Sequence, residues 1–358
     1  MKVVVAIDSF KGCMTSVEAN RAAAEGIRSV CPDAEIVQVP VSDGGEGFLE
    51  AFHAAIGGEL QEVTVRDPLM RPITAKYLLR GDEAVIEIAQ ASGLTLLTPE
   101  ERNPMVATSY GTGQLVADAV RRGAKHIIVG LGGSATSDAG IGMLRALIDV
   151  FAKHGTFDEI KELKNVTFTI ATDVKNPLCG ENGAAYVFGP QKGATQEMAR
   201  QLDERARKFA EVSAKHFGYD RSEMAGAGAA GGLGYAFLQY MDAECRPGIE
   251  LLLDTIHFNE IVKDADLVIT GEGSADCQTL MGKLPVGVLK QSGGAPVCLI
   301  AGRIRDKEQL LKAGFARVEC INPPDITLEE ALRKEVSIQH IKDTVKCLCK
   351  QIIDIKTV

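Results

Sequence analysis

The chain of 358 residues contains no tryptophan, and only 5% of its residues are aromatic. Proteins that bind single-stranded nucleic acids stack the bases on aromatic side chains, and this composition does not support such a role. Lysine and arginine form no long basic block, and the net charge is −9. This charge argues against general binding to nucleic acids or membrane surfaces, so we expect neither among the partners.

Long apolar runs are missing at the start of the chain, where the run in MKVVVAIDSF ends at Asp8 after five residues. Such a run is too short for a signal peptide or a membrane-spanning helix. The nine cysteines are scattered, which is typical of reduced thiols. Only Cys347 and Cys349 form a close pair, and an isolated C-x-C pair is weak evidence for a metal site. We expect a cytoplasmic protein.

Two common catalytic motifs are also absent, GxxxxGK[ST] and GxSxG. What is present is a globular composition, with 46% hydrophobic and 24% charged residues, which provides ample material for buried cores. The length fits two domains, and there is no fixed-period repeat or low-complexity linker. A two-domain enzyme with a cleft is expected.

Strands and helices alternate at both ends of the chain. Val3 to Ile7 predicts a buried strand, and Thr15 with Glu18 forms a capping box that begins a helix ending near Val30. The patterns predict further strands at 35–39, 61–66, 73–79, 84–88, 127–129, 166–172, 184–188, 265–270, 296–300 and 316–320, and helices at 48–56, 112–122 and 195–217. The strands between 61 and 88 look antiparallel. The last third of the chain is expected to complete the N-terminal sheet, so the middle would be an inserted domain.

A glycine-rich loop in HIIVGLGGSATSDAGIGMLRAL follows an apolar strand and precedes a helix. Gly132 and Gly133 let backbone amides approach an anion, Ser134 and Thr136 add hydroxyl donors, and the helix directs its positive end toward the same place. This arrangement predicts a phosphate cradle. A tight turn before a helix is the alternative interpretation.

Acidic residues follow the first strands. Asp8, Ser9 and Lys11 provide an acid, a hydroxyl and an ammonium group, which suit a phosphate or carboxylate beside a metal, although Asp8 also fits a simple turn cap. Asp43 and Glu46 in SDGGEG are hard oxygen ligands suited to Mg²⁺ or to substrate hydroxyls. A solvated turn is the alternative there.

Later segments add more acids. Asp173 follows an apolar strand, where an Asx turn is the alternative to a functional role. The segment that starts at Asp266 predicts a strand, which is followed by a group of polar side chains, namely Glu272, Asp276, Gln278, Thr279 and Lys283. Two acids and a lysine at one strand end are the set that phosphoryl transfer needs.

The motifs that support a family resemblance occur in this order: DSFKG, DGGEG, GTGQL, GLGGSATSDAG, TDVKNPL, VFGPQKGA, GAGAAGGLG, and TGEG with DCQT and GK. With them the chain resembles the type I bacterial glycerate kinases (glycerate 2-kinases) over essentially its whole length. The resemblance implies ATP-dependent phosphorylation of D-glycerate with Mg²⁺, mostly at the 2-hydroxyl. It also implies an α/β fold in which a Rossmann-like (flavodoxin-like) domain, 1–65 with 262–358, is interrupted by a second α/β domain with a mixed sheet, 66–261. The active site is expected in the cleft between them.

Roles for the candidate residues follow from this resemblance. Asp276 would orient or deprotonate the acceptor hydroxyl, with Asp173 as the rival. Asp43 and Glu272 are the Mg²⁺ candidates, and Lys11 and Lys283 would bind substrate carboxylate or phosphates. The remaining residues would contact the nucleotide: Gly132, Gly133, Ser134, Thr136, Asp8, Ser9, Gln278 and Thr279.

The chain departs from the family pattern in two places. Where the family usually has GEGRID, this chain has Ser274 and Ala275 in place of arginine and isoleucine. The family also usually has a longer segment between Ala146 and Val166. The lost arginine motivates one alternative, a non-catalytic glycerate-binding sensor. A second alternative is a kinase for a different small hydroxy acid or alcohol, because GLGGSAT resembles the GLGSSA loop of the GHMP kinases. Monomer and homodimer both stay open.

Overall fold

The structure is a computed structural model that describes residues 1–42, 44–45 and 47–356. In chain order its strands are β1 (Lys2–Ile7), β2 (Glu35–Gln38), β3 (Glu59–Arg66), β4 (Pro72–Arg80), β5 (Glu83–Glu87), β6 (His126–Gly130), β7 (Thr167–Ala171), β8 (Glu244–Arg246), β9 (Leu267–Ala275), β10 (Val297–Ile304) and β11 (Arg317–Cys320). The α-helices are α1 (Ser16–Arg28), α2 (Phe48–Ile56), α3 (Ala89–Ser92), α4 (Tyr110–Arg121), α5 (Ile141–Phe151), α6 (Ala184–Phe188), α7 (Gln196–Phe217), α8 (Ala229–Met241), α9 (Gly248–Thr255), α10 (Phe258–Ile261), α11 (Leu284–Lys290), α12 (Lys307–Lys312), α13 (Leu328–Ala331) and α14 (Lys334–Lys356). No helix in the described part of the chain is long and apolar enough to cross a membrane.

The chain forms two compact units. The first contains residues 1–43, 50–56 and 249–358, and the second contains 44–49 and 57–248. Strand β3 pairs with β4 and belongs to the second unit. The boundary predicted at 65/66 therefore lies nine residues after the change of unit between 56 and 57. The boundary predicted at 261/262 lies after α9 and α10, which belong almost entirely to the first unit.

The sheet of the first unit has five parallel strands in the order β11-β10-β9-β1-β2. Numbered within this sheet alone, the order is 2-1-3-4-5, which is the flavodoxin-like arrangement. The expectation that the C-terminal third completes the N-terminal sheet is confirmed, because β9 pairs with β1. Helix α1 begins with the predicted capping box of Thr15 and Glu18, and its apolar face packs with α14 and β1 into one core.

The sheet of the second unit has six strands in the order β3-β4-β5-β6-β7-β8. The pairs β3–β4 and β4–β5 are antiparallel, as predicted, whereas β5, β6, β7 and β8 run parallel to one another. The carboxyl ends of these four parallel strands therefore lie at one edge of the sheet. The predicted α/β class, with one parallel and one mixed sheet, is confirmed.

The strand predicted at 184–188 is wrong, because these residues form helix α6. The run AAYVF is short and apolar, and a run of this length fits a buried helix as well as a strand. It packs against α7 and α8, so its apolar side chains are covered by helices rather than by a neighbouring strand. The three-residue strand β8 was not predicted, since so short a segment gives no periodic signal.

Candidate functional site

Asp8 and Glu272 lie next to each other, Asp8 directly after the carboxyl end of β1 and Glu272 within the paired strand β9. Ile7 pairs with Gly271 in the parallel ladder, and the amide of Asp8 donates a 2.9 Å hydrogen bond to the carbonyl oxygen of Gly271. Both acids are only 8% exposed. The strand order reverses between β1 and β9, and ligands of open α/β sheets bind outside the carboxyl ends at such a switch point. This pair, with Asp276, Thr279 and Lys283, is called the acidic cluster below.

Thr279 fixes the carboxylate of Glu272. The Thr279 hydroxyl donates to Glu272 Oε1 at 2.6 Å and accepts from the amide of Asp276 at 3.1 Å. Lys283 lies at the start of α11, with its Nζ 3.8 Å from Glu272 Oε2. Thr279 is fully buried, and its hydroxyl holds Glu272 and the turn at Asp276 in place. A direct contact between Thr279 and the nucleotide stays a prediction.

Asp276 lies in a tight turn immediately after β9. Its Oδ1 accepts a 2.9 Å hydrogen bond from the amide of Gln278, which is an Asx turn, and the amide of Cys277 donates to Asp306 at 3.2 Å. The Asp276 carboxyl is half-buried and Gln278 is exposed. The turn thus holds one carboxyl oxygen in place.

The segment after β1 is a tight turn as well. The amide of Ser9 donates to Asp8 Oδ1 at 2.7 Å, and Phe10 pairs with Met14 in a short antiparallel bridge. Lys11 at the tip of this turn is exposed. The structure therefore brings Asp8, Glu272, Asp276, Thr279 and Lys283 to one edge of the sheet.

Two glycine-rich loops meet at the carboxyl edge of the second sheet. The amide of Gly132 donates a 2.9 Å hydrogen bond to the carbonyl oxygen of Gly44. A Cβ at position 132 would lie 2.2 Å from Gly45 Cα, so only glycine permits this approach. The predicted Mg²⁺ candidate Asp43, and Glu46 three residues later in the sequence, lie outside the described residues.

The hydroxyl groups of the predicted phosphate cradle bind each other. Ser134 Oγ is 3.0 Å from Thr136 Oγ1 and accepts from the amide of Thr136 at 3.0 Å. Ser134 is 7% exposed and Thr136 has no exposed surface. A phosphate contact through Thr136 therefore needs the loop to open, whereas Gly132 and Gly133 lie at its entry from β6.

Lys192 supports this loop from inside the second unit. Its Nζ donates a 2.6 Å hydrogen bond to the carbonyl oxygen of Thr136, and the residue is 2% exposed. Burial lowers the pKa of Lys192 to about 7, although the carboxylate of Asp138 acts in the opposite direction. The sequence marks Lys192 only as a lysine in a turn, and nothing local in GPQKG signals that it is buried.

The same loop contacts a left-handed stretch of backbone before the regular part of α8. Ala230, Gly231 and Gly232 have φ values of 53°, 69° and 89°, and Ala139 has a φ of 54°. The amide of Ala139 donates to Gly231 O at 3.0 Å. Alanine in this region is strained, and such strain concentrates at functional sites.

Sequence reasoning missed two acids that organise the second unit, the half-buried Asp138 and the buried Glu87. Asp138 Oδ2 accepts from the amide of Ser109, just before α4, at 2.8 Å and from the amide of Gly142, at the start of α5, at 3.1 Å. This carboxylate therefore joins the starts of the two helices. Glu87 is 3% exposed and accepts from the amide of Leu49 at 3.0 Å. The available signals were an acid just before a helix and an acid inside the apolar run AVIEIA.

Asp173, the rival base, lies two residues beyond β7 and is exposed. It belongs to the second unit, as do Gly132, Gly133, Ser134 and Thr136. The structure thus groups the predicted residues into two sets, the acidic cluster in the first unit and the glycine loops in the second.

Comparisons with known proteins agree with one another. A family model described as the glycerate kinase family matches residues 3–353. The chain is similar to a glycerate kinase of Halalkalibacterium halodurans (43% identity, 94% of each chain) and to one of Bacillus subtilis (40% identity, 100% of this chain and 99% of that protein). It is also similar to the glycerate 2-kinase of Escherichia coli, with 40% identity over 93% of each chain. A crystal structure from Salmonella typhimurium LT2, described as glycerate kinase 2, covers 100% of both chains with 38% identity and a TM-score of 0.83.

Proposed function

This chain belongs to the glycerate kinase family, and we propose that it phosphorylates D-glycerate at the 2-hydroxyl with ATP, giving 2-phospho-D-glycerate and ADP. The main structural support is the acidic cluster at the switch point of the first sheet, where Asp8 and Glu272 follow paired residues of β1 and β9. Phosphoryl transfer depends on positioning and on neutralising charge. The cluster offers carboxylates and a lysine for both tasks.

The donor atoms in the acidic cluster fit Mg²⁺, because Asp8 and Glu272 present hard oxygen ligands. Mg²⁺ in kinases is held by one or two carboxylates together with substrate phosphates and water, so a larger protein cage is not required. Within the described residues, no group of three or more His, Cys, Asp and Glu side chains is arranged to hold a metal. When bound, the ion would neutralise charge on the nucleotide phosphates. Asp8 and Glu272 would hold it, with Asp43 as a further candidate.

Asp276 is proposed to act on the acceptor hydroxyl. Its Asx turn holds Oδ1 against the amide of Gln278, and its second carboxyl oxygen has no hydrogen-bond donor in the described part of the chain. That oxygen would take the proton as the 2-hydroxyl oxygen bonds to the γ-phosphorus and the bond between this phosphorus and the β,γ-bridging oxygen breaks. Asp173 stays the rival for this role.

Cationic and amide donors complete the proposal. Lys283, 3.8 Å from Glu272, and the exposed Lys11 would bind substrate carboxylate or nucleotide phosphates. Gly132 and Gly133 would bind phosphate through their amides, with the hydroxyls of Ser134 and Thr136 behind them. Ser9, Gln278 and Thr279 would complete the contacts with the nucleotide.

A cytoplasmic location fits this function, because the nine cysteines are free thiols in the structure, as is usual in a reducing compartment. The relatives named glycerate kinase or glycerate 2-kinase favour neither the sensor nor a kinase for another substrate.

The test is ADP release by the purified protein. We expect release that requires D-glycerate, ATP and Mg²⁺ together and that stops with EDTA. ADP release that does not depend on D-glycerate would contradict the proposal. So would thermal stabilisation of the protein by glycerate with no ADP release under any condition.

A further inference from the structure

Ser274 and Ala275 stand where the resemblance places arginine and isoleucine. In the ladder between β9 and β10, Ser274 pairs with Arg303 and Ala275 pairs with Ile304. The Arg-Ile dipeptide that is missing from β9 is therefore present on the neighbouring strand, in register with the position where it is missing.

Paired residues of neighbouring strands direct their side chains to the same face, with strands about 4.8 Å apart. Arg303 therefore lies beside Ser274, and the small serine leaves space for the longer side chain. Both residues are exposed. Because alternate residues of a strand share a face, Glu272 of the acidic cluster lies on this same face.

The opposite face is covered by backbone. A Cβ at Gly273 would lie 3.9 Å from Phe10 Cα, and one at Gly302 would lie 3.6 Å from the ring of Phe10. The turn after β1 therefore lies over Gly273 and Gly302, and the guanidinium of Arg303 is directed away from it.

The guanidinium of Arg303 forms no ion pair or hydrogen bond with any residue that the structure describes. Arg200, in contrast, binds Glu197 at 2.7 Å, and Arg71 binds Asp67 at 2.5 Å. An arginine without an internal partner, beside acids at a ligand-binding edge, is free to bind an anion in the bidentate manner of guanidinium groups.

We propose that Arg303 supplies from β10 the guanidinium that the family supplies from position 274, and that it binds an oxyanion of the reactants. This inference rests on the proposed function. The oxyanion is either the carboxylate of glycerate or a phosphate of ATP, which share the same recognition chemistry.

The experiment compares Arg303→Ser with the double variant Ser274→Arg/Arg303→Ser, which moves the arginine back to β9. A charge-assisted bidentate contact predicts that kcat/KM falls about 10- to 100-fold in Arg303→Ser, with unchanged thermal stability because the residue is exposed. The double variant is expected to recover to within about 5-fold of the parent, since the guanidinium returns to the same face. A rise in KM for glycerate identifies the carboxylate as the bound group, and a rise in KM for ATP identifies a phosphate.

Arg317→Ser is the matched control. Arg317 pairs with Cys298, which lies five residues before Arg303 on β10, so Arg317 lies about 16 Å from Arg303 along the strand direction. The substitution Arg317→Ser therefore removes the same charge from the same sheet at a distant position. Kinetics of Arg303→Ser within 2-fold of the parent, or an equal loss in Arg317→Ser, would overturn the inference. So would a folded double variant that is no more active than Arg303→Ser.

A separate binding measurement distinguishes this inference from the proposed function. If the parent released no ADP, thermal shifts with D-glycerate alone and with ATP alone would still test Arg303. A shift in the parent that is lost in Arg303→Ser supports the role of Arg303. Equal shifts in both proteins, or no shift in the parent, would overturn it.

Discussion

The ammonium group of Lys192 donates a 2.6 Å hydrogen bond to the carbonyl oxygen of Thr136, in the loop that follows β6. Both residues are buried, so this bond joins the turn before α7 to the predicted phosphate cradle inside the second unit. Burial lowers the pKa of Lys192 from 10.5 to about 7. A buried lysine that titrates near neutrality makes the stability of the protein depend on pH.

We predict that the free energy of unfolding of the parent rises with pH relative to that of Lys192→Met. Between about pH 7 and 10.5 the unfolded lysine binds a proton that the folded lysine has lost, so raising the pH in this window stabilises the folded state. The difference grows by up to about 1.4 kcal/mol per pH unit. Below pH 7 both states are protonated and the difference is constant.

Urea unfolding of both proteins at pH 6.5, 7.5 and 8.5 measures this. Because the other titrating groups are common to both proteins, their contributions cancel in the difference. Parallel stability curves across this range would show that Lys192 keeps an ordinary pKa in the folded protein.

Gly231→Ala is expected to be much more destabilising than Gly218→Ala. Both glycines have positive φ, at 69° and 78°, but a Cβ at 231 would lie 1.9 Å from Thr136 O whereas one at 218 has no neighbour within 4 Å. In the control Gly218→Ala, backbone strain alone therefore lowers the free energy of unfolding by about 1 kcal/mol. The clash raises the loss at 231 above about 3 kcal/mol. Chemical denaturation measures the loss of stability in both variants. Similar losses would mean that the backbone at Gly231 and the loop at Thr136 separate readily.

Glu272→Gln is expected to lower kcat/KM about 100-fold or more, because it removes the charge of a buried carboxylate while keeping an oxygen that accepts from Thr279. The Mg²⁺ concentration for half-maximal rate is expected to rise. Glu319→Gln is the matched control, since Glu319 lies on β11 of the same sheet and pairs with Lys307. Steady-state kinetics at several Mg²⁺ concentrations test this, and near-parent kinetics of Glu272→Gln would remove Glu272 from the site.

Asp276→Asn is expected to lower kcat about 100-fold or more with little change in KM, because general-base catalysis contributes that much. Asparagine keeps the Asx turn with Gln278, so the loss would report chemistry and not folding. Asp173→Asn is made in parallel and is expected to be mild. A large loss in Asp173→Asn alone would transfer the role to Asp173, and near-parent rates in both variants would eliminate a carboxylate base at either position.

Local sequence signals predicted much of the first unit, where apolar runs such as Val3 to Ile7 and the capping box of Thr15 and Glu18 depend only on nearby residues. The family motifs added the idea that both chain ends share one domain. The short apolar run at 184–188 was misassigned, because its helical state depends on contacts with α7 and α8 that the local pattern does not contain.

Other features of the site depend on pairings between distant parts of the chain. Asp8 lies close to Glu272 because of the register between β1 and β9. Ser274 lies close to Arg303 because of the register between β9 and β10. The burial of Lys192 depends on where its turn meets the loop at Thr136. Sequence spacing does not fix any of these registers, so only the folded chain identifies them.

The most direct test of the account is ³¹P NMR of the product formed by the purified protein from D-glycerate and Mg·ATP. The account predicts the resonance of 2-phosphoglycerate in amounts equal to the ADP released. A product phosphorylated at the 3-hydroxyl would contradict the proposed position of transfer, and the absence of any phosphoglycerate would contradict the proposed kinase activity itself.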